Sequence, residues 1–271
     1  MWWQYSLKCP ICGSEMKREE KSLICVGGKR HCFDLAAQGY VNLASSRAAG
    51  GGDDAALIRA RTAFLSAGHY APFAERIVAL LKEHAKGDRV VDAGCGEGYY
   101  TCRVAQSGFY VYGFDLSKRG VREGAKNATR IGANAFFGVA GIFDLPLKDE
   151  SADAVISLFA PIAEHEFLRV LRPGGILIAA GAGEDHLLSL KRVLYDTPRK
   201  NDLRADLPHG MEPLHSETLA FTMHLSREDA ANLFAMTPYY YRTSLLGKEA
   251  LAALPSLECE AEMDIRVYRK G

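Results

Sequence analysis

The sequence lacks any long hydrophobic run and any excess of charge of one sign. No stretch approaches the roughly 18 uninterrupted apolar residues of a membrane-spanning helix, so we expect no membrane association. Lysine plus arginine and aspartate plus glutamate number 33 each. The zero net charge does not indicate a class of partner, although a single basic surface can still bind nucleic acid. Residues 1–8 lack the basic and apolar regions of a signal peptide, which predicts a cytoplasmic protein.

The composition is that of a globular protein, but its cysteines are unevenly placed. The chain has 271 residues, of which 48% are hydrophobic and 24% charged, enough for one large domain and a small one. Four of the seven cysteines lie within the first 32 residues. Because the chain shows no sign of secretion, these thiols indicate a metal site or buried thiols in a reducing compartment.

The N-terminal cysteines have the spacing of a zinc site. Cys9 and Cys12 form a C-x2-C pair, and Cys25, His31 and Cys32 follow after a strand-like segment. Two thiolates on a tight turn and a second pair returned by a hairpin can complete one tetrahedral, structural zinc site. Taken alone, the first pair also fits a redox site. His31 and Cys32 compete for the fourth position because their side chains are adjacent.

Composition divides the chain into three parts. Residues 1–45 carry the zinc ligands, and seven basic and four acidic side chains give a net charge of +3 up to residue 47. Residues 46–86 combine a linker rich in Ser, Ala and Gly with a helical stretch. Residues 87–271 alternate apolar runs of strand length with helical stretches, which predicts a doubly wound α/β sheet. The predicted strands are 89–93, 110–114, 135–139, 154–159, 176–180, 218–225 and 260–268; the predicted helices are 99–106, 119–130, 163–170, 185–195 and 227–235.

A glycine loop follows the first predicted strand of this α/β part. Asp92, Gly94, Gly96 and Gly98 stand at alternate positions, where glycine lets the backbone turn tightly and approach a ligand. The spacing differs from the G-x-G-x-x-G loop of dinucleotide-binding proteins, which counts against NAD. Asp115 ends the next strand, where a carboxylate can accept hydrogen bonds from both ribose hydroxyls of an adenosine. Asp115 by itself also fits a helix N-cap.

These motifs resemble those of the class I S-adenosylmethionine-dependent methyltransferases. The loop at residues 92–98 matches their first motif, Asp115 matches their second-strand acid, and residues 172–175 resemble the turn before their fifth strand. The resemblance implies a Rossmann-like methyltransferase sheet with a small N-terminal zinc-binding domain. In such enzymes the adenine lies near the end of the third strand, here around residues 139–142.

When the N-terminal segment is included, the resemblance points to one family within this class. The zinc knuckle together with residues 31–35, 39–43, 67–70, 186–187 and 236–238 resembles the 23S rRNA guanine-N1 methyltransferases of hairpin 35. One branch of that family is associated with resistance to macrolides such as tylosin. The resemblance implies zinc ligation by Cys9, Cys12, Cys25 and His31, and S-adenosylmethionine contacts from Tyr70, Asp92, Gly94, Gly96, Glu97, Gly98, Asp115 and His186.

The function implied is methyl transfer from S-adenosylmethionine to N1 of a guanine in 23S rRNA. The zinc domain would recognise the RNA and the α/β part would perform the transfer, with the general base unassigned. Two alternatives stay open: a small-molecule methyltransferase on the same core, and a zinc-dependent RNA-binding protein without catalysis. A homodimer is one possible assembly.

Other residues near the predicted cavity have weaker assignments. The Tyr70 ring can cover a sulfonium by cation–π attraction or can pack between domains. Residues 158–161 end the fourth strand, where an aromatic ring can stack on a flipped base or belong to the core. Basic side chains are candidate phosphate contacts, namely Arg61, Lys191, Arg192, Arg199, Lys200 and Arg204.

Overall fold

The computed structural model describes residues 2–44, 55–203 and 208–271. Most of the predicted linker and Arg204 lie outside these described residues. A short 3-10 helix, Trp2–Ser6, is followed by β1 (Met16–Glu19), β2 (Ser22–Cys25), β3 (Cys32–Asp34) and β4 (Tyr40–Asn42). Within the described ranges, no helix has the length and apolar character needed to cross a bilayer.

The remaining elements alternate between helices and strands. In chain order they are α1 (Ala55–Ser66), α2 (Ala71–His84), β5 (Arg89–Ala93), α3 (Tyr99–Gln106), β6 (Tyr110–Asp115), α4 (Lys118–Ile131), β7 (Ala135–Val139), β8 (Ala152–Leu158), α5 (Glu164–Val170), β9 (Leu171–Ala182), α6 (Leu188–Leu194), β10 (Met211–Ser226), α7 (Arg227–Ala235), a 3-10 helix (Pro238–Tyr241), α8 (Leu245–Ala253) and β11 (Ser256–Lys270).

An eight-stranded sheet organises these elements in the order β10-β11-β9-β8-β5-β6-β7-β4. The six strands from β4 to β9 run parallel, and β11 pairs antiparallel with both β9 and β10. Every residue of β8 is buried, because helices cover both faces of the parallel strands. The predicted doubly wound fold is confirmed. Chain order reverses between β5 and β8, which is where such sheets open a ligand crevice at their carboxyl ends.

Residues 2–44 pack directly on this sheet. β4 extends it by pairing with β7, with Tyr40 opposite Phe137. On one face of the sheet, the Trp3 ring lies 4.7 Å from that of Phe136, and the Tyr112 hydroxyl donates a hydrogen bond of 3.1 Å to the Trp3 carbonyl. The N-terminal segment and the sheet therefore share a hydrophobic core. The predicted boundaries at residues 45 and 86 stay predictions.

Candidate functional site

A cavity of about 1080 Å³ lies at the carboxyl ends of the strands, at the reversal of strand order. It is bounded by the loop after β5, the ends of β6 and β8, residues 141–143 after β7, and the segment around His186. Seven of the eight predicted cofactor contacts line it: Tyr70, Asp92, Gly94, Gly96, Glu97, Asp115 and His186. The structure thus brings together side chains separated by up to 116 positions in sequence.

The glycine loop has the backbone conformation that requires glycine. Gly94 and Gly96 have φ values of 90° and 53°, in the left-handed region. A Cβ atom at Gly94 would lie 2.7 Å from that of Ala160, on the facing wall of the cavity. Gly98 does not line the cavity: a Cβ atom there would lie 2.6 Å from the Phe137 ring. This third glycine therefore allows close packing of α3 on the sheet.

Asp115 is oriented by two backbone donors. Its Oδ2 accepts a hydrogen bond from Gly96 N at 3.0 Å, and its Oδ1 accepts one from Ser117 N at 2.7 Å. The N-cap of α4 is Ser117, whose hydroxyl accepts from Gly120 N, so Asp115 does not itself cap the helix. Because each carboxylate oxygen can accept more than one hydrogen bond, Asp115 retains capacity for two ribose hydroxyls.

Two further carboxyl groups, Asp92 and Glu97, lie deep in the cavity. Burial raises the pKa of Asp92 to about 7, against the effect of a 2.6 Å hydrogen bond from the Thr101 hydroxyl. Burial also raises the pKa of Glu97, and the Arg61 guanidinium 3.6 Å away opposes this. Glu97 Oε2 has no hydrogen-bond partner among the described residues. A nearby positive charge, such as that of S-adenosylmethionine, would favour the ionised forms of these carboxyl groups and would be attracted by them.

Tyr70 and His186 form a buried pair in the cavity wall. His186 Nδ1 accepts a hydrogen bond from Glu262 N at 3.1 Å, and burial lowers the pKa of His186 to about 4. The neutral imidazole therefore carries its proton on Nε2 and donates it to the Tyr70 hydroxyl oxygen 3.3 Å away. The hydrogen of the Tyr70 hydroxyl is then available to an acceptor in the cavity.

Phe159 forms the aromatic part of the cavity rim. Its φ of 54° is unusual for a bulky residue, and such strained backbone clusters at functional sites. Its side chain is exposed, with the ring centroid 6.4 Å from that of Tyr70 and 5.9 Å from that of His186. Pro161 lines the same wall, and its carbonyl accepts a 3.1 Å hydrogen bond from the Ser157 hydroxyl. This wall can contact a planar base.

The four predicted zinc ligands lie together in the N-terminal segment. The ligand atoms of Cys9, Cys12, Cys25 and His31 are all within 4.8 Å of one another. Cys9 Sγ is 3.4 Å from His31 Nδ1, and Cys12 Sγ is 3.3 Å from Cys25 Sγ. Three thiols and one imidazole form the donor set of a closed tetrahedral zinc site.

The surroundings act in opposite directions on two of these thiols: burial raises the pKa of Cys9 to about 11, whereas hydrogen bonding lowers the pKa of Cys12. Gly27 N donates to Cys25 Sγ at 3.2 Å. Hydrogen bonding with the Ser14 side chain, 3.5 Å away, lowers the pKa of the Cys12 thiol to about 6. Cys32, the competing candidate, is exposed on β3 and lies outside the cluster.

The candidate phosphate contacts differ in their surroundings. Lys191 is buried, and its Nζ donates to the Arg199 carbonyl and the Asn201 side chain at 2.9 and 2.6 Å. Lys200 forms ion pairs with Glu184 and Asp185 at 3.4 and 3.0 Å. Arg192 and Arg199 are exposed, and so is a cavity residue that was not predicted from the sequence, Arg242. The M-T-P motif at residues 236–238 was the nearest sequence signal to it.

Comparisons with known proteins identify both parts of the chain. A family model described as a methyltransferase domain matches residues 90–175, and one described as RlmA, N-terminal, a zinc ribbon, matches residues 7–45. A 23S rRNA (guanine(748)-N(1))-methyltransferase from Streptomyces fradiae is 34% identical over 86% of this chain and 84% of its own length. A Micromonospora griseorubida protein, assigned by name to the 23S rRNA (guanine-N(1)-)-methyltransferases, is 35% identical over 88% of this chain and 87% of its own.

Among solved structures, the YcgJ protein of Bacillus subtilis aligns with a TM-score of 0.49 and 14% identity, covering 72% of this chain and 98% of that one. The family assignment rests on the sequence relatives, which span most of both chains. With its zinc ribbon and its S-adenosylmethionine-dependent methyltransferase domain, the chain belongs to the family of 23S rRNA (guanine-N1-)-methyltransferases.

Proposed function

We propose that this enzyme methylates N1 of a guanine in hairpin 35 of 23S rRNA and that the modification contributes to resistance to macrolides such as tylosin. The observation that carries the proposal is the single cavity in which the glycine loop, Asp115 and the Phe159 wall face one another. The Streptomyces fradiae relative, named for guanine N1 methylation of 23S rRNA, supports the same substrate. Such an activity places the enzyme in the cytoplasm, with ribosomal RNA.

Some cavity residues would bind the cofactor, and others would bind the guanine base. S-adenosylmethionine supplies a methyl group on a positively charged sulfur, which is a good leaving group. Asp115 holds the ribose, and Asp92 and Glu97 favour the positive charge. Tyr70 and His186 form the inner wall, and Gly94 and Gly96 allow the close approach of the backbone. The protein contributes mainly orientation and exclusion of water.

The outer wall of the cavity would bind the guanine that accepts the methyl group. Phe159 and Pro161 provide apolar surface on which a guanine flipped out of its stack can lie. This wall follows β8, next to the glycine loop at the end of β5, so a bound base would face the cofactor side of the cavity. N1 of guanine carries a proton near neutral pH, which has to leave before or during attack on the methyl group.

The zinc segment is proposed as a structural unit that also contacts the RNA. Cys9, Cys12, Cys25 and His31 would hold one zinc ion. Lys29 is exposed in the same segment, whereas Arg30 already pairs with Glu19 at 3.0 Å. We therefore expect phosphate contacts of this segment to come from exposed cations such as Lys21 and Lys29 rather than from Arg30.

A methyl-transfer assay tests the proposal. Purified enzyme and radiolabelled S-adenosylmethionine are incubated with 23S rRNA from cells that lack the protein, and with a metabolite extract as the alternative substrate. Primer extension then maps the product, because N1 methylation blocks base pairing and stops reverse transcriptase. The proposal predicts one new stop in hairpin 35 and lower tylosin sensitivity of cells that carry the gene. Label transferred only to small molecules, or no label at all, would refute it.

A further inference from the structure

Large apolar and aromatic side chains cluster on the surface beside the cavity. Tyr240 and Tyr241, in the 3-10 helix Pro238–Tyr241, are 40% and 68% exposed. Leu245 and Leu246, at the start of α8, are 71% and 78% exposed. Exposed apolar patches of this kind mark binding sites. These four residues, together with the exposed Arg192 and Arg242, are called the tyrosine surface below.

Neighbouring side chains pack against Tyr240, and the Tyr240 ring packs against that of Tyr241. Their ring centroids lie 5.3 Å apart with the rings perpendicular, and Lys248 Nζ lies 4.9 Å from the Tyr240 ring. Phe234 packs against Tyr240 at 5.4 Å. The Thr243 hydroxyl lies 2.9 Å from the Tyr239 carbonyl and anchors the end of the 3-10 helix. Tyr241 is thus exposed to solvent beside a supported Tyr240, and a tyrosine ring has few rotatable bonds to order when it stacks.

The tyrosine surface adjoins the cavity through Arg242. Arg242 lines that cavity and also a second hollow of about 560 Å³, which Arg192, Tyr195 and Leu246 line as well. A base held in the first cavity remains joined to its neighbours through sugar and phosphate. The adjoining nucleotides must therefore leave the cavity over its rim, and the tyrosine surface forms part of that rim.

The charge of this region suits a polyanion. Segments 192–199 and 238–250 carry four basic and two acidic residues. Arg192 and Arg242 are both exposed. In the zinc segment, by contrast, Lys17 and Arg30 share the single carboxylate of Glu19, at 2.7 and 3.0 Å, which offsets one of their two positive charges.

We propose that the tyrosine surface binds the unpaired nucleotides next to the target guanine. Tyr241 stacks on one base, and Arg192 and Arg242 contact flanking phosphates. Aromatic stacking on single-stranded RNA tolerates any base, and arginine contacts to phosphate fix the position of the chain. The inference rests on the proposed function and adds a substrate-binding surface outside both the cofactor site and the zinc segment.

Two substitutions at one position test the stacking contact. The probe is an unmodified 23S rRNA fragment containing hairpin 35. Tyr241→Ala is expected to weaken its binding roughly tenfold, the scale of losing one stacked base, and to raise the KM for RNA similarly. Tyr241→Phe keeps the ring and should bind as the wild type does. S-adenosylmethionine affinity should be unchanged in both variants, because Tyr241 does not line the cofactor cavity.

The phosphate contacts are tested by salt dependence. Each phosphate contact to single-stranded RNA contributes about 0.7 to the slope of log K against log salt, so Arg192→Ala combined with Arg242→Ala should reduce that slope by about 1.4. Arg122→Ala, at an exposed position of α4 away from both hollows, is the matched control and should leave the slope unchanged.

The outcomes separate this inference from the proposed function. If the wild type methylates the RNA but Tyr241→Ala and the double arginine variant bind it normally, the inference is wrong and the function stands. If the wild type methylates no RNA, the function itself is wrong. Analytical sedimentation tests whether the tyrosine surface instead binds a second copy of this chain. A wild-type dimer that dissociates in Tyr241→Ala would show this and would overturn the inference.

Discussion

At the scale of single residues, the backbone hydrogen bonds to Asp115 explain why an acid is needed at the end of β6. Both oxygens accept from the backbone, through Gly96 N and Ser117 N, so the carboxylate cannot rotate away from the cavity. The sequence placed this acid correctly after its strand. It could not distinguish a cofactor contact from a helix cap, because that choice depends on Ser117 taking the capping position.

Replacement of Asp115 should weaken cofactor binding. Asp115→Ala is expected to reduce S-adenosylmethionine affinity by roughly 1.5–3 kcal/mol, the range for hydrogen bonds to a charged group. Asp115→Asn retains one acceptor oxygen and should lose less. Calorimetric titration measures the affinity, and thermal unfolding of the unliganded variants controls for damage to the loop. Wild-type affinity in a folded Asp115→Ala variant would show that another group holds the ribose.

The buried His186 should make stability depend on pH. Because the pKa of His186 is lowered from 6.5 to about 4, the unfolded chain binds a proton between these values that the folded chain does not. The stability due to neutral His186 is therefore complete above about pH 6.5 and is lost as the pH falls towards 4, by at most roughly 3 kcal/mol.

His186→Gln removes this titration and serves as the comparison. Denaturant unfolding at pH 6.5 and pH 4 should show a smaller loss of unfolding free energy in the variant than in the wild type. Other titrating groups are common to both proteins and cancel in the difference. Equal losses in the two proteins would mean that His186 is accessible to protons when folded, and the pairing of its Nε2 with Tyr70 would need revision.

At the scale of elements, the sequence predicted those whose burial pattern is locally encoded. The observed bounds of β5, β7, α3 and α7 match the predicted ranges, because each has a regular apolar pattern between turn signals. Three-residue β4 has too little pattern to be recognised, and its partner β7 lies almost a hundred positions away. α8 begins with exposed Leu245 and Leu246, which obscure its buried face. Local periodicity therefore does not predict strands defined by long-range pairing, or helices whose apolar residues face solvent.

The hairpin of β1 and β2 should depend on zinc. Its strands pair over four residues, which is too short for independent stability, so we expect the metal to stabilise the hairpin in addition to its packing on the sheet. Cys9→Ser should reduce the zinc content of purified protein from about one per chain towards zero, whereas Cys32→Ser should retain it, because Cys32 lies outside the cluster. Elemental analysis measures both. Zinc loss in Cys32→Ser would exclude His31 as the fourth ligand.

At the scale of the whole molecule, the zinc segment and the methyltransferase sheet are physically joined. Trp3, Leu7 and Cys25 belong to the same buried cluster as Tyr112 and Phe136 of the sheet. A backbone bridge pairs Leu7 with Leu147, and β4 forms one edge of the sheet. The sequence predicted an N-terminal zinc-binding domain at residues 1–45, because composition changes sharply there. The shared core could not be predicted, because composition carries no information about which surfaces pack together.

This shared core predicts that the two parts unfold together. Trp3 is 7% exposed and packs on Phe136, so Trp3→Ala should destabilise the protein by about 3–5 kcal/mol, the usual cost of truncating a buried aromatic ring. The matched control is Ile11→Ala in the same segment, whose side chain is 64% exposed and whose loss should change stability by no more than about 0.5 kcal/mol.

Thermal unfolding is followed by zinc release to a colorimetric chelator and by circular dichroism of the α/β part. Both signals should change in one transition, and Trp3→Ala should lower both midpoints equally, because the ring is buried between the two parts. Zinc release well below the main transition, with the α/β part unaffected by Trp3→Ala, would instead establish the independent N-terminal domain that composition alone suggested.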